Sequence, residues 1–197
     1  MLDRAEALAI GTRALCHLAA VTLEAGNDPA LVEMLTPICK WAGTRAGIEA
    51  ADLGIQILGG YGYLREYRVE QVWRDARVTA IYEGANGIQA QTLATRLLRL
   101  PGAADAFAAF LTDPQVAAIW QRARAQVAAA ADPSPAAHDF MALTVEAALA
   151  TIWQRLDDAA DRAPDPRRLR ALARREAAQR PARLRYHAEM LAAMDAP

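Results

Sequence analysis

Glu83 is the residue in this chain whose setting most suggests chemistry. It lies within Trp73–Gln89, WRDARVTAIYEGANGIQ, between the apolar Ile81 and Tyr82 and the turn Gly84-Ala85-Asn86-Gly87. Asn86 with Gln89 three residues later has the spacing of a capping box, which predicts a helix opening there. The carboxylate would then stand near a helix N-terminus, where backbone N–H groups lack intrahelical acceptors and point outward. Gly84 carries no Cβ, so another molecule can approach the backbone closely. An acid beside apolar groups and free amides suits removal of a proton next to a carbonyl. Burial makes the carboxylate a stronger base, and the amides stabilise an enolate-like oxygen. The competing reading of the same spacing is a surface acid in an interhelical loop, favoured by a helix dipole.

The elements that must hold this turn read as helices. Leu2 to Ala25 has one apolar row at Leu8, Leu15 and Thr22 and another at Ile10, Ala14, Leu18 and Val21, so it wants neighbours on two sides, as in a bundle. Gly26-Asn27-Asp28-Pro29 is a stop-and-turn signal. A second helix follows from about Ala30 to Leu58, with a core stripe at Met34, Ile38, Trp41, Ile48 and Ile55. Pro37 lies inside that pattern, so the helix either starts near Thr36 or kinks there. Small residues from Ala42 to Gly54 permit close helix approach. Gly59-Gly60-Tyr61-Gly62 reads as a C-cap and loop. A short helix over 69–77 and the helix opened by Asn86, running to about Leu100, complete the first half.

Pro101-Gly102 marks a boundary, giving one bundle over 1–100 and a second helical unit over 101–197. Helical patterns continue at Ala103–Leu111, Pro114–Ala131, Pro135–Arg162 and Pro166–Ala193, with prolines as plausible first-turn residues. Phe107, Phe110, Leu111, Ile119, Trp120, Phe140, Leu143, Leu149, Ile152, Trp153 and Leu156 supply a core. The arginine-rich stretch from Pro164 to Leu191 reads as a solvated helix face. No strand alternation and no internal repeat is present, so the fold class is all-α.

Composition narrows the function. The chain has 197 residues and a net charge of −1, which gives no electrostatic case for nucleic acid or an anionic membrane. Its N-terminus lacks the order of a signal peptide, and no uninterrupted apolar run is long enough to span a bilayer, so a cytoplasmic location is expected. Cys16 and Cys39 stand alone, without metal-ligand spacing. Each falls in a helical pattern, and both are expected as core thiols in a reducing compartment, with no metal site.

The stretch QILGGYGYLREYRVEQVWRDARVTAIYEGANGIQ resembles the C-terminal segment of acyl-CoA dehydrogenases. The EGANG form and the added helical region resemble the 3-methylmercaptopropionyl-CoA dehydrogenase subgroup. The resemblance implies that Glu83 is the base that removes the α-proton of an acyl-CoA thioester. It implies hydride transfer from the β-carbon to FAD, giving the trans-2-enoyl-CoA, and electron-transfer flavoprotein as the acceptor of the complete enzyme. Glu83's own N–H would polarise the thioester carbonyl, and Tyr82 and Gly84 would line the substrate pocket. Gln56, Gly59 and Gly60 match the family's QxxGG, which contacts the FAD of a neighbouring subunit and so implies a homo-oligomer. Ala85, Asn86 and Gly87 fall where relatives also approach FAD. Many relatives carry Thr where Ala85 stands, so a backbone or Asn86 contact must replace that hydroxyl.

The family's N-terminal helical and middle β-domains are missing from these residues. The isolated 197-residue piece is therefore expected to be inactive, as a fragment or a truncated gene product, with an incomplete FAD site. The alternative reading is a free-standing helical assembly module that has lost the chemistry. Acyl-chain length is not legible in these residues.

Overall fold

The computed structural model of the chain describes residues 1–193; the last four residues of the expected 101–197 unit lie outside the described residues. Among the described residues all regular structure is helical. Helices α1 (Leu2–Ala25) and α2 (Pro29–Leu58) form an antiparallel hairpin. Gly26, at φ 63°, sends its N–H to the Thr22 and Leu23 carbonyls and ends α1. The Asp28 carboxylate accepts from the Leu31 N–H at 2.9 Å, and Pro29 takes the first helical position, where its missing N–H costs nothing. α2 runs unbroken through the buried Pro37, so a start near Thr36 is excluded. It is the spine of the fold, packing against α1, α4 (Val69–Thr79), α5 (Asn86–Thr95), α6 (Ala103–Phe110) and α8 (Ala137–Asp158). α3 is the single turn Gly60–Tyr63; α7 (Pro114–Ala129) and α9 (Pro166–Ala193) complete the set.

One connected core draws from both sides of Pro101. Leu15, Met34, Ile38, Leu93 and Leu97 join Phe107, Trp120, Phe140, Leu143 and Leu184, all essentially buried. Each such side chain gains about 1.5–3 kcal/mol on leaving water. Trp120 sits between Phe107 and Phe140, and its indole N–H donates to the Thr144 hydroxyl at 3.1 Å, which in turn donates to the Phe140 carbonyl. A smaller cluster of Ala7, Trp153, Leu172 and Ala173 ties α1 to α8 and α9. Gly11 permits that approach, since a Cβ there would lie 2.8 Å from the Trp153 ring nitrogen.

Three expectations change. The arginine-rich helix is not simply a solvated face. Arg180 and Glu176 are buried, Arg180 binds both Glu146 and Glu176, and Arg183 adds to Glu176 at 3.1 Å. Arg168 and Arg175 reach across to Asp3 on α1. Cys16 is exposed and so is not a core thiol, whereas Cys39 is half-buried and packs against the main core. The third change concerns α1: among the described residues it alone is long and apolar enough, at a mean hydropathy of 1.2, to cross a membrane. Its Asp3, Arg4 and Glu6 are ion-paired to α2 and α9, while Val21 and Leu23 on its outer surface are about two-thirds exposed.

Candidate active site

The turn between α4 and α5 is closed by its own backbone. The Ile81 and Tyr82 N–H groups both donate to the Val78 carbonyl, and the Asn86 N–H returns to the Ala80 carbonyl at 3.0 Å. Between these closures the chain must reverse, and it does so through Glu83 at φ 55° and Gly84 at φ 87°. A positive φ is unusual for glutamate and costs about 1 kcal/mol or more, a strain that collects at functional turns. A Cβ at Gly84 would lie 2.6 Å from Gln89 Nε2, the end of a flexible side chain that can turn aside, so the positive φ is what calls for glycine. The Gln89 amide lies 3.4 Å from the Glu83 carbonyl and 3.5 Å from that of Gly84. Among the described residues the N–H groups of Glu83, Gly84 and Ala85 have no hydrogen-bond acceptor, and the first-turn N–H groups of Gly87 and Ile88 are open as well.

Asn86 does not cap its own helix. Ala85 is the N-cap residue, without a side-chain cap, so the capping box expected from Asn86 and Gln89 does not form. The Asn86 amide is instead held by α2: Lys40 Nζ donates to Oδ1 at 2.9 Å, and Nδ2 donates to the Thr44 hydroxyl at 2.9 Å. The distance from Thr44 Oγ1 to Oδ1 is 3.1 Å, and to the Trp41 carbonyl 3.2 Å, so its single proton serves one of the two. Lys40 and Thr44 are the positioning residues that sequence reasoning missed. Their signal was a polar pair one turn apart on α2, a helix that also carries Arg45, Glu49 and Asp52.

The burial expected around Glu83 is not supplied by these residues. Glu83 and Gly84 are exposed, and Ile81 and Tyr82 are 57% and 49% exposed. Exposed large apolar side chains extend from Ile57 and Leu58 through Tyr61, Tyr63, Trp73 and Val78 to Ile88. Beside the turn a groove of about 790 Å³ brings Ala85, Asn86 and Gly87 together with Arg45, Asp52 and Arg77; Glu83 is not part of its wall. Gln56, Gly59 and Gly60 are exposed at the far end of α2. Gly59 adopts φ 59°, and a Cβ at Gly59 or Gly60 would meet open space. Thr44, which holds Asn86, and Gln56 are twelve residues apart, so the two sets of residues stand about 18 Å apart along the helix axis. The structure therefore brings Tyr82, Glu83, Gly84, Ala85, Asn86 and Gly87 into one turn and keeps Gln56, Gly59 and Gly60 separate.

The profile of the family described as "Acyl-CoA dehydrogenase, C-terminal domain" matches residues 1–98. Those residues, just under half of the chain, are similar to that domain. The 3-methylmercaptopropionyl-CoA dehydrogenase of Ruegeria pomeroyi is 40% identical over 98 residues, 49% of this chain and 17% of that protein. An acyl-CoA dehydrogenase of Bacillus subtilis is 46% identical over 61 residues, covering 31% of this chain and 16% of the relative. The human mitochondrial short-chain specific acyl-CoA dehydrogenase is 39% identical over 93 residues, 47% of this chain and 22% of that enzyme. The matched residues thus span about a sixth to a fifth of these curated relatives. The helices α1, α2, α4 and α5 and the Glu83 turn all fall inside the matched region, and the all-α architecture fits the C-terminal domain of the family.

Proposed function

We propose that this chain is the C-terminal part of an FAD-dependent acyl-CoA dehydrogenase, with Glu83 as the base that takes the α-proton of an acyl-CoA thioester. One observation carries the proposal. A strained glutamate and its glycine neighbour, fixed by backbone closures on each side, present a carboxylate together with the unpaired N–H groups of Glu83, Gly84 and Ala85. Positive φ occurs at only two non-glycine positions among the described residues, Arg68 and Glu83, and such strain collects at functional turns. The N–H groups are suited to accept charge that develops on the thioester oxygen as the proton leaves. Tyr82 and Gly84 flank the acid and would line the substrate pocket.

The residues fit a flavin. Gly59, Gly60 and Gly87 offer backbone that no Cβ obstructs, and the Gly87 N–H is open. Ala85 has no hydroxyl to offer. Asn86 Oδ1 already accepts from Lys40, so the Asn86 side chain retains only its second amide hydrogen as a donor. The lost contact is then replaced chiefly by backbone. When bound, FAD supplies the acceptor for the β-hydride. The separation along α2 supports assigning Gln56, Gly59 and Gly60 to the FAD of a neighbouring subunit in a homo-oligomer. The exposed apolar residues from Ile57 to Ile88 form the surface against which the rest of such an enzyme would pack, supplying the burial that Glu83 needs. Residues 1–100 form the family bundle in this reading, and 101–197 an additional helical region sharing its core. Electron-transfer flavoprotein is the proposed acceptor, and the 197-residue piece by itself is proposed to be inactive.

The test is Glu83→Gln in the complete enzyme. Anaerobic stopped-flow reduction of the flavin by an acyl-CoA should slow by about 10²–10⁴-fold. Flavin content should stay at the wild-type level, whereas Gln56→Ala should lower flavin retention and leave loaded molecules competent. Reduction at the wild-type rate in Glu83→Gln removes the acid from the mechanism. A wild-type protein that retains flavin but is never reduced favours the assembly-module reading.

A further inference from the structure

The cysteines of this chain face one another across the α1–α2 hairpin. The two helices run antiparallel, and side-chain contacts fix their register. Near the open end Arg4 Nε meets Glu49 Oε1 at 2.7 Å; nearer the turn Cys39 Sγ lies 3.9 Å from the Leu15 carbonyl. The register therefore sets Cys39 opposite Leu15 and the next residue, Cys16. Cys16 is exposed, within reach of a dissolved reagent, while Cys39 is half-buried behind it. The Cys39 S–H lies against the Leu15 carbonyl, and the register leaves the neighbouring Cys16 sulfur as the alternative acceptor for its one proton. Donated to the sulfur, that proton favours the Cys16 thiolate and lowers its pKa to about 7, against the smaller opposing effect of burial. Giving that bond, together with burial, pushes Cys39 up. The two thiols thus differ in the way nucleophile and resolving thiol differ in redox pairs: one exposed and readily ionised, the other shielded and protonated.

We propose that Cys16 and Cys39 are a redox-active pair, in which Cys16 attacks a hydroperoxide and Cys39 then closes an intramolecular disulfide between α1 and α2. In the first step the Cys16 thiolate attacks the terminal peroxide oxygen. An S–O bond forms, the O–O bond breaks, and the departing alkoxide or hydroxide takes a proton, leaving Cys16 as the sulfenic acid. In the second step the Cys39 sulfur attacks the Cys16 sulfur. An S–S bond forms, the S–O bond breaks, and the hydroxide leaves as water with the Cys39 proton. In sum, two thiols and one hydroperoxide give a disulfide, an alcohol or water from the peroxide, and one further water. The sulfurs lose the two electrons that the peroxide gains.

The test uses the 197-residue chain and hydrogen peroxide. Thiol titration should show both cysteines lost together, and the intact mass should fall by two hydrogens, with recovery on adding dithiothreitol. Cleavage after Glu24, Glu33 and Glu49 should give the peptide ending at Glu24 linked to Met34–Glu49. In Cys39→Ser the reaction should stop at the Cys16 sulfenic acid, captured as its dimedone adduct. In Cys16→Ser the remaining Cys39 should stay a thiol under the same exposure. Persistence of both thiols in the wild-type chain overturns the proposal, as does a disulfide that links two chains. The wild-type mapping decides the matter even where a variant fails to fold.

Discussion

Replacing Asn86 by alanine should loosen the Glu83 turn while leaving the core intact. The substitution removes the Lys40 contact at 2.9 Å and the Nδ2–Thr44 bond at 2.9 Å. A neutral bond contributes about 0.5–1.5 kcal/mol and a charge-assisted one about 1.5–3. Lys40 is only partly buried and regains water when its partner is lost, so the low end applies and about 2 kcal/mol is expected. That loss should appear locally. α4 contains no buried residue, so the segment from α4 through the turn can open without exposing the core around Trp120. Amide hydrogen exchange should quicken about 30-fold at Tyr82, residue 86 and Gln89, the free-energy loss expressed as a rate ratio. Exchange at Leu93 and Phe140 should stay at wild-type rates. Thr44→Val should reproduce part of the effect, and the double mutant should fall short of additivity by about 1 kcal/mol, because the two side chains share one bond. Full additivity, or a Thr44→Val protein with an unchanged turn, would refute the anchoring to α2.

Three further outcomes test other parts of the fold. Gly84→Ala, placed at φ 87° with its Cβ against Gln89 Nε2, should open the same turn by about 1–2 kcal/mol, read by the same amide exchange. Arg180→Met removes the cation shared by buried Glu176 and Glu146; with Arg183 still beside both, a loss of about 3 kcal/mol in urea unfolding is expected, and a loss below about 1 kcal/mol would show the cluster to be dispensable. The Asp3 carboxyl is held below its ordinary 3.8 by hydrogen bonding and charge pairing with Arg168, with Arg175 adding to both. Its stabilising effect is complete above 3.8 and fades as pH falls through the lowered folded value, so Asp3→Asn should lose stability less steeply than wild type in acid titration below 3.8.

Where local chemistry punctuates the chain, the helices were legible. Gly26, Asp28-Pro29, Pro114 and Pro166 each act within a few residues, and the corresponding helix boundaries fall within a residue or two of their expected places. Long-range pairing was not legible. Asn86 has the right neighbour for a capping box, but its partners lie 46 and 42 residues earlier, on α2. Spacing along the chain cannot tell an amide that bonds its own helix from one that reaches another. The arginines of α9 failed for the same reason. Arg168 and Arg180 look solvated until α9 packs beside Asp3 on α1 and Glu146 on α8.

The Glu83 turn divides into what these residues complete and what they leave open. Its backbone reversal, its anchor through Lys40 and Thr44, and its unpaired N–H groups are finished within α2, α4 and α5. Its apolar surroundings are not, since Ile81 and Tyr82, the residues that precede the acid, are exposed. For a base this division has a chemical consequence. Geometry can be set by a few hydrogen bonds inside one bundle, but the strength of a carboxylate base depends on removing water from it. In the proposed enzyme the helical bundle holds the acid in place, and the surfaces that close over it, together with the substrate, make it basic enough to act. Acyl-CoA binding would then activate the same residue that attacks it, because the ligand's own apolar chain supplies part of the missing cover.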